Sequence, residues 1–128
     1  MPAPRRSPGF EAHSEAYTLF RRGMWFLERR HPGQAAMLLE RALTLEPGRT
    51  SIREALGRAL YALGETARAA AQFEAIVAEM PDNDYAQYAL GRCLLRLGRA
   101  QEGRGRLRLA AALAPGSALY REALAEEA

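Results

Sequence analysis

The chain has 128 residues, of which 48% are hydrophobic and 26% charged, with a formal net charge of +3. That length suits one domain able to bury roughly two-thirds of its unfolded surface, and the small charge argues for no general attraction to nucleic acid. No apolar run approaches the ~18 residues of a membrane span, and a single cysteine, Cys93, excludes an intrachain disulfide.

Residues 1–9 hold three prolines and two arginines. They read as a disordered segment, and with no apolar stretch after Arg5-Arg6 they do not read as a signal peptide. Ser7-Pro8 is a cap and first-turn pair at which a helix could begin. From residue 10 onward the chain reads as one folded domain. A first helix runs to about Arg29 or Arg30, His31-Pro32-Gly33 makes a turn, and a second helix covers about Gln34 to Glu46 before Pro47-Gly48 stops it. Ser51 to Leu63 contains no proline and ends at Gly64, as a helix C-terminus does. Thr66 to Met80 runs up to Pro81, which disfavours helical geometry in the residue before it. The pattern then repeats, with a turn at Gly98-Arg99 and a stop at Pro115-Gly116-Ser117. In residues 118–128, Tyr120 and Leu124 share a face while Arg121, Glu122, Glu126 and Glu127 are polar, as expected of a terminal capping helix.

The period is the strongest signal. Gly23, Gly57 and Gly91 are evenly spaced, and Pro47, Pro81 and Pro115 share the same interval. Leu56-Gly57, Leu60, Gly64, Ala69, Phe73 and Ile76 return as Leu90-Gly91, Leu94, Gly98, Gly103, Leu107 and Ala110, and earlier as Gly23, Phe26, Ala35, Leu39 and Ala42. A fixed period of this length marks a repeat array, each unit an αα-hairpin. A glycine inside a helix costs about 1 kcal/mol relative to alanine, so three in register imply close helix crossings, with Ala69 and Ile76 or their equivalents expected to face the glycine.

These residues resemble the tetratricopeptide repeat family, whose unit carries Leu-Gly in its first helix, a small, an aromatic and a small residue in its second, and a closing proline. The resemblance covers Ala16 to Ser117. It implies an all-α solenoid of three 34-residue helix-turn-helix repeats, residues 16–49, 50–83 and 84–117, with a capping helix at 118–128. Some positions depart from the pattern. Leu19, Arg53 and Gln87 replace the family's early tryptophan, Arg22 stands where Leu56 and Leu90 stand in the other units, and Gly103 with Gly105 marks the third second-helix as the weakest.

Such an array has a concave face, and in the resembling family the first helices line it. Their second stripe reads Tyr17, Phe20, Met24 and Leu27 in the first unit. It continues as Ser51, Glu54, Arg58 and Tyr61 in the second, then Tyr85, Tyr88, Arg92 and Leu95 in the third, with Arg96 beside it. Tyr, Phe, Met and Arg are enriched at protein interfaces, so Tyr17, Phe20, Met24, Leu27, Arg58, Tyr61, Tyr85, Tyr88, Arg92 and Arg96 are the candidate partner-binding residues. Packed between hairpins, the same side chains would instead be core. The family's carboxylate clamp for chaperone tails uses Lys, Asn and Arg. Its positions here hold Phe20, Met24, Ala55, Tyr85 and Ala89, so that clamp is not implied.

Catalysis finds no footing: His13 and His31 lack partners at a recognisable spacing, and Cys93 falls on a packed face. Metal-ligand clusters, P-loops and dinucleotide turns are missing from the sequence, and Gly103-Arg104-Gly105-Arg106 is not followed by Lys-Ser/Thr. The expectation is a non-enzymatic scaffold or adaptor without cofactor, holding a protein or peptide with apolar and acidic side chains. A cytoplasmic location follows from the cysteine content, and a bacterial, GC-rich coding bias from the use of arginine with no lysine. The alternatives are binding of nucleic acid or an acidic partner through the run Arg92, Arg96, Arg99, Arg104, Arg106 and Arg108, and self-association into a homo-oligomer.

Overall fold

The computed structural model describes residue 11 and residues 13–127. The expected disorder of residues 1–9 and a helix start at Ser7-Pro8 lie outside the described residues. Among those described there are seven helices and no strand: α1 (Glu15–Glu28), α2 (Pro32–Leu45), α3 (Thr50–Ala62), α4 (Thr66–Glu79), α5 (Asp84–Arg96), α6 (Ala100–Leu113) and α7 (Ala118–Glu126). Each packs against the next, so α1/α2, α3/α4 and α5/α6 form successive hairpins and α7 closes on α6.

The hairpin turns share one geometry. In each, the amide three residues past the helix's last residue donates back to its final turns: His31 to the Phe26 carbonyl, Glu65 to Leu60 and Arg99 to Leu94, all at 2.9 Å. The residue before that amide takes a left-handed φ, +83° at Gly64 and +82° at Gly98, where glycine carries no Cβ penalty. In the first hairpin Arg30 adopts this conformation, at φ +62°. The expected turn at His31-Pro32-Gly33 is therefore displaced. Pro32 is the first residue of α2, a position where its fixed φ suits the helix and its missing N–H would have had no partner.

The in-register glycines are close crossings, and the side chain that fills each is a large one, in addition to the expected equivalents of Ala69. A Cβ built on Gly57 would lie 2.7 Å from Cζ of Phe73, and one on Gly23 2.7 Å from Cγ of Leu39. On Gly91 it would meet the Gly103 carbonyl oxygen at 3.0 Å and Leu107 Cδ2 at 3.1 Å. Leu39, Phe73 and Leu107 are equivalents of one another in successive repeats, so the large residue of the second helix occupies the space each glycine vacates. The expected equivalents of Ala69 share the contact in two repeats, through the Ala35 carbonyl oxygen 3.5 Å from a Cβ on Gly23 and the Gly103 carbonyl oxygen at Gly91, while Ile76 and its equivalents do not. Gly103 is part of the same contact: a Cβ there would meet Leu95 Cγ at 2.9 Å. The α5/α6 crossing thus uses a glycine from each side, and α6 continues unbroken through both Gly103 and Gly105.

The positions that depart from tryptophan acquire a shared task. Arg53 Nη2 donates to the Pro47 carbonyl at 3.0 Å, Gln87 Nε2 to the Pro81 carbonyl at 2.9 Å, and Arg121 Nη1 to the Pro115 carbonyl at 2.7 Å. Each closing proline's carbonyl is thereby satisfied by the helix that follows it. Arg53 also donates to Gln72 Oε1, and Gln87 Oε1 accepts from Arg106, both at 3.0 Å. The pair is the same, with arginine and glutamine exchanged between helices. Arg121 places α7 in the register of α3 and α5.

Candidate functional site

A cavity of about 240 Å³ opens between α3, α4 and α5, lined by Arg58, Tyr61, Phe73, Tyr85, Tyr88, Ala89 and Arg92. Its floor is aromatic. Phe73 meets Tyr85 edge-on at 6.3 Å between centroids, Tyr85 lies 6.0 Å from Tyr88, and Tyr88 lies 5.1 Å from Tyr120 of α7. Buried Tyr120 is fixed by its hydroxyl, which donates to Asp84 Oδ2 at 2.7 Å. The rings thus contact one another in a row from Phe73 to Tyr120, and tyrosines of this kind are common interface anchors.

Two guanidinium groups flank that floor. Arg58 and Arg92 stand one repeat period apart, which sets them at matching points on α3 and α5. Arg92 Nη1 approaches the Tyr88 hydroxyl at 3.4 Å. Partial burial lowers the Arg92 pKa, but a hydrogen bond to Tyr61 and the influence of Tyr61, Tyr88 and Glu126 outweigh it, so the net shift is upward. No carboxylate among the described residues lies within ion-pairing distance of Arg58 or Arg92. Glu54 is nearest in effect: burial raises its carboxyl pKa, with Arg58 opposing. Burial likewise raises the Tyr85 phenol, again opposed by Arg58. A second cavity of about 340 Å³ shares Tyr61 and Arg92 with the first and adds Leu95, Arg96, Ala123, Glu126 and Glu127. Arg96 is held there by stacking 3.7 Å from the Tyr61 ring centroid and by donating to the Tyr61 carbonyl at 3.1 Å.

Of the ten candidate residues, Arg58, Tyr61, Tyr85, Tyr88 and Arg92 line the first cavity, and Arg96 lines the second. The four from α1 are not among the lining residues. Tyr17 is half-buried, and Phe20, Met24 and Leu27 pack partly buried against the core. Sequence reasoning missed Phe73, which the repeat pattern assigns to the core, and the α7 carboxylates. The period itself carried the latter signal, since Glu126 lies one period after Arg92, and Ala123 one period after Ala89. Two further members of the arginine run have partners within the chain. Arg99 pairs with Glu102, and Arg106 donates to Gln87, leaving Arg104 and Arg108 on α6 away from both cavities. Cys93 is fully buried; burial pushes its thiol pKa up to about 11, against a lowering by Arg96. No group of His, Cys, Asp and Glu among the described residues could hold a metal ion.

Two tetratricopeptide repeat family models match the sequence, one over residues 20–84 and the other over residues 64–127. The chain belongs to the tetratricopeptide repeat family. None of the curated proteins matches it. Similar solved structures include the first TPR of Spaghetti (RPAP3) bound to the HSP90 peptide SRMEEVD. It is 16% identical, with a TM-score of 0.83, over 88% of this chain and 90% of that one. PcrH in complex with the chaperone binding region of PopB is 17% identical, with a TM-score of 0.76, over 92% and 97%. A MamA fragment from Desulfovibrio magneticus RS-1 is 21% identical, with a TM-score of 0.83; the match covers 88% of this chain but 63% of the MamA chain. At these identities the likeness shows the all-α solenoid fold. No described helix is long and apolar enough to cross a membrane.

Proposed function

We propose that this chain is a protein-interaction module, a scaffold or adaptor, that holds a peptide or protein segment against the α3–α5 cavity. The observation that carries this reading is that Arg58 and Arg92 line one cavity with the contacting rings of Phe73, Tyr85 and Tyr88. The rings offer apolar area and the guanidinium groups bind carboxylates through charge-assisted bonds, which selects a segment with apolar and acidic side chains. Two of the similar folds are complexes with a peptide or a chaperone binding region, which supports the class of function. Tyr85 and Ala89, in the cavity, are among the positions at which the family's clamp would need cations or amides, so recognition of a chaperone tail by that clamp is not part of the proposal. The cytoplasmic and bacterial placement belongs to the same proposal and rests on the single cysteine and the absence of lysine.

The test is affinity capture from the native host with the wild-type chain and the Arg58→Ala/Arg92→Ala double variant as parallel baits. A protein retained by the first and lost from the second, at equal helicity, is expected. Equal retention by both baits would overturn the assignment of the site.

A further inference from the structure

The surface around the cavity is zoned by charge. Arg121 donates to the Pro115 carbonyl as Gln87 does to Pro81 and Arg53 to Pro47, so α7 stands as a fourth first-helix. One period on from Tyr88 and Arg92 stand Glu122 and Glu126. At the position of Arg58 and Arg92, α7 therefore offers the carboxylate Glu126. Helix α3 carries its own carboxylate, Glu54, at the position of Glu122, but there it is half-buried and acts on Arg58, whereas Glu122 is exposed. Glu126 and Glu127 line the second cavity, and Glu126 is close enough to act on Arg92 electrostatically. The one cation of α7, Arg121, is committed to Pro115, while Glu122 and Glu126 are exposed. A segment crossing from α3 toward α7 thus meets Arg58 and Arg92 beside aromatic rings, then Arg96, then the carboxylates Glu122, Glu126 and Glu127.

We propose that the partner segment is of mixed charge and binds in one direction, with an acidic side chain at Arg58 and Arg92 and a basic side chain beyond it at Glu122, Glu126 and Glu127. This rests on the preceding assignment of the site and adds the partner's basic group and its polarity. Complementary potentials fix register and reject wrong orientations more than they add affinity. A reversed segment would place its base against Arg58 and Arg92, and its acid against the α7 rim.

The experiment is selection from a random 12-residue peptide library displayed on phage, with two baits: the wild-type chain and a Glu122→Gln/Glu126→Gln/Glu127→Gln variant. Glu126 and Glu127 sit at the C-terminal end of α7, where removing an acid does not oppose the helix dipole, and Glu122 is exposed in mid-helix, so the variant should fold, as circular dichroism would show. Wild-type selections should share an acidic and a basic residue in fixed order and separation, and the variant should recover the acidic residue alone. In a synthetic peptide carrying the consensus, replacing the base by Gln should weaken wild-type binding about fivefold, the upper range for an exposed ion pair, and leave binding to the variant unchanged. If wild-type selections lack the base, or the variant retains it, the zoning is refuted, while loss of the same peptides on Arg58→Ala/Arg92→Ala leaves the site intact. Recovery of no peptide, or of peptides indifferent to Arg58 and Arg92, would overturn the site and the zoning together.

Discussion

Gly57→Leu sets two physical effects against each other. Leucine is the better helix former by about 1 kcal/mol, so on propensity alone the change would stabilise α3. Packing opposes it. A Cβ at this position starts 2.7 Å from Phe73 Cζ and 2.8 Å from Cε2, whereas ordinary contact begins near 3.4 Å. The first carbon alone requires the ring to withdraw by about 0.7 Å, and leucine adds three more. Phe73 is 1% exposed and lines the cavity, toward which it can withdraw. Forcing atoms into a filled core costs roughly 1–3 kcal/mol, occasionally more, and this case, with four atoms and one aromatic ring to displace, belongs at the upper end. The net expectation is a loss of at least ~1 kcal/mol, which at urea m-values of about 1–3 kcal/mol per molar lowers the midpoint by some tenths of a molar or more. Gly57→Ala should show a smaller loss together with weaker partner binding, because the displaced ring occupies cavity volume. Urea unfolding followed by circular dichroism measures this. A raised midpoint for Gly57→Leu would show that the glycine is merely tolerated and that the crossing is loose.

Other outcomes follow from single contacts. Arg53→Gln and Gln72→Arg should each cost about 0.5–1.5 kcal/mol, the net worth of a hydrogen bond, whereas the double exchange should recover most of the loss, because Gln87 and Arg106 already use that arrangement; an additive double-mutant cycle would contradict it. Tyr120→Phe removes a bond to the Asp84 carboxylate and should cost about 1.5–3 kcal/mol, read as a lowered thermal midpoint at neutral pH. Burial first, and the Asp84 bond second, hold the Tyr120 phenol well above its ordinary value of 10.0. Above pH 10 the unfolded chain releases this proton while the folded chain keeps it, so stability falls as pH rises; the fall should be shallower in Tyr120→Phe. Cys93, fully buried and with its thiol pushed up to about 11, should resist iodoacetamide at pH 8 in the folded chain and react once urea unfolds it, and rapid alkylation without denaturant would contradict its placement.

The fold was legible because glycine and proline punctuate backbone geometry, and here they recur in register. Where a different residue took a punctuating role the boundary shifted, as Arg30 did by adopting the conformation held elsewhere by Gly64 and Gly98. Helical spacing showed that Gly57 faces a neighbour but could not say which side chain reaches across, since Ala69, Phe73 and Ile76 share one face of α4. The exchanged pairs Arg53–Gln72 and Gln87–Arg106 were invisible for a related reason: the bond is kept while the residue types trade places. In the site, the stripe at spacings of three and four placed Arg58, Tyr61, Tyr85, Tyr88 and Arg92 on facing helices. The same stripe on α1 is more apolar, and Phe20, Met24 and Leu27 pack partly buried against the core. An apolar row of that kind reads alike for a groove and for an interhelical seam.

On the proposed reading the partner is held at Arg58 and Arg92 and not on the α6 surface. Isothermal titration of the captured partner segment at physiological salt tests it most directly, comparing Arg58→Ala and Arg92→Ala with Arg104→Glu and Arg108→Glu, each checked for intact helicity. Loss of a charge-assisted contact in the cavity should weaken binding by roughly 1.5–3 kcal/mol, or about tenfold to a hundredfold. The α6 charge reversals should change affinity little, because neither residue lines the cavities and solvent and salt screen charges outside them. Abolished binding in Arg104→Glu and Arg108→Glu, with Arg58→Ala and Arg92→Ala unaffected, would contradict the account and move the site to α6.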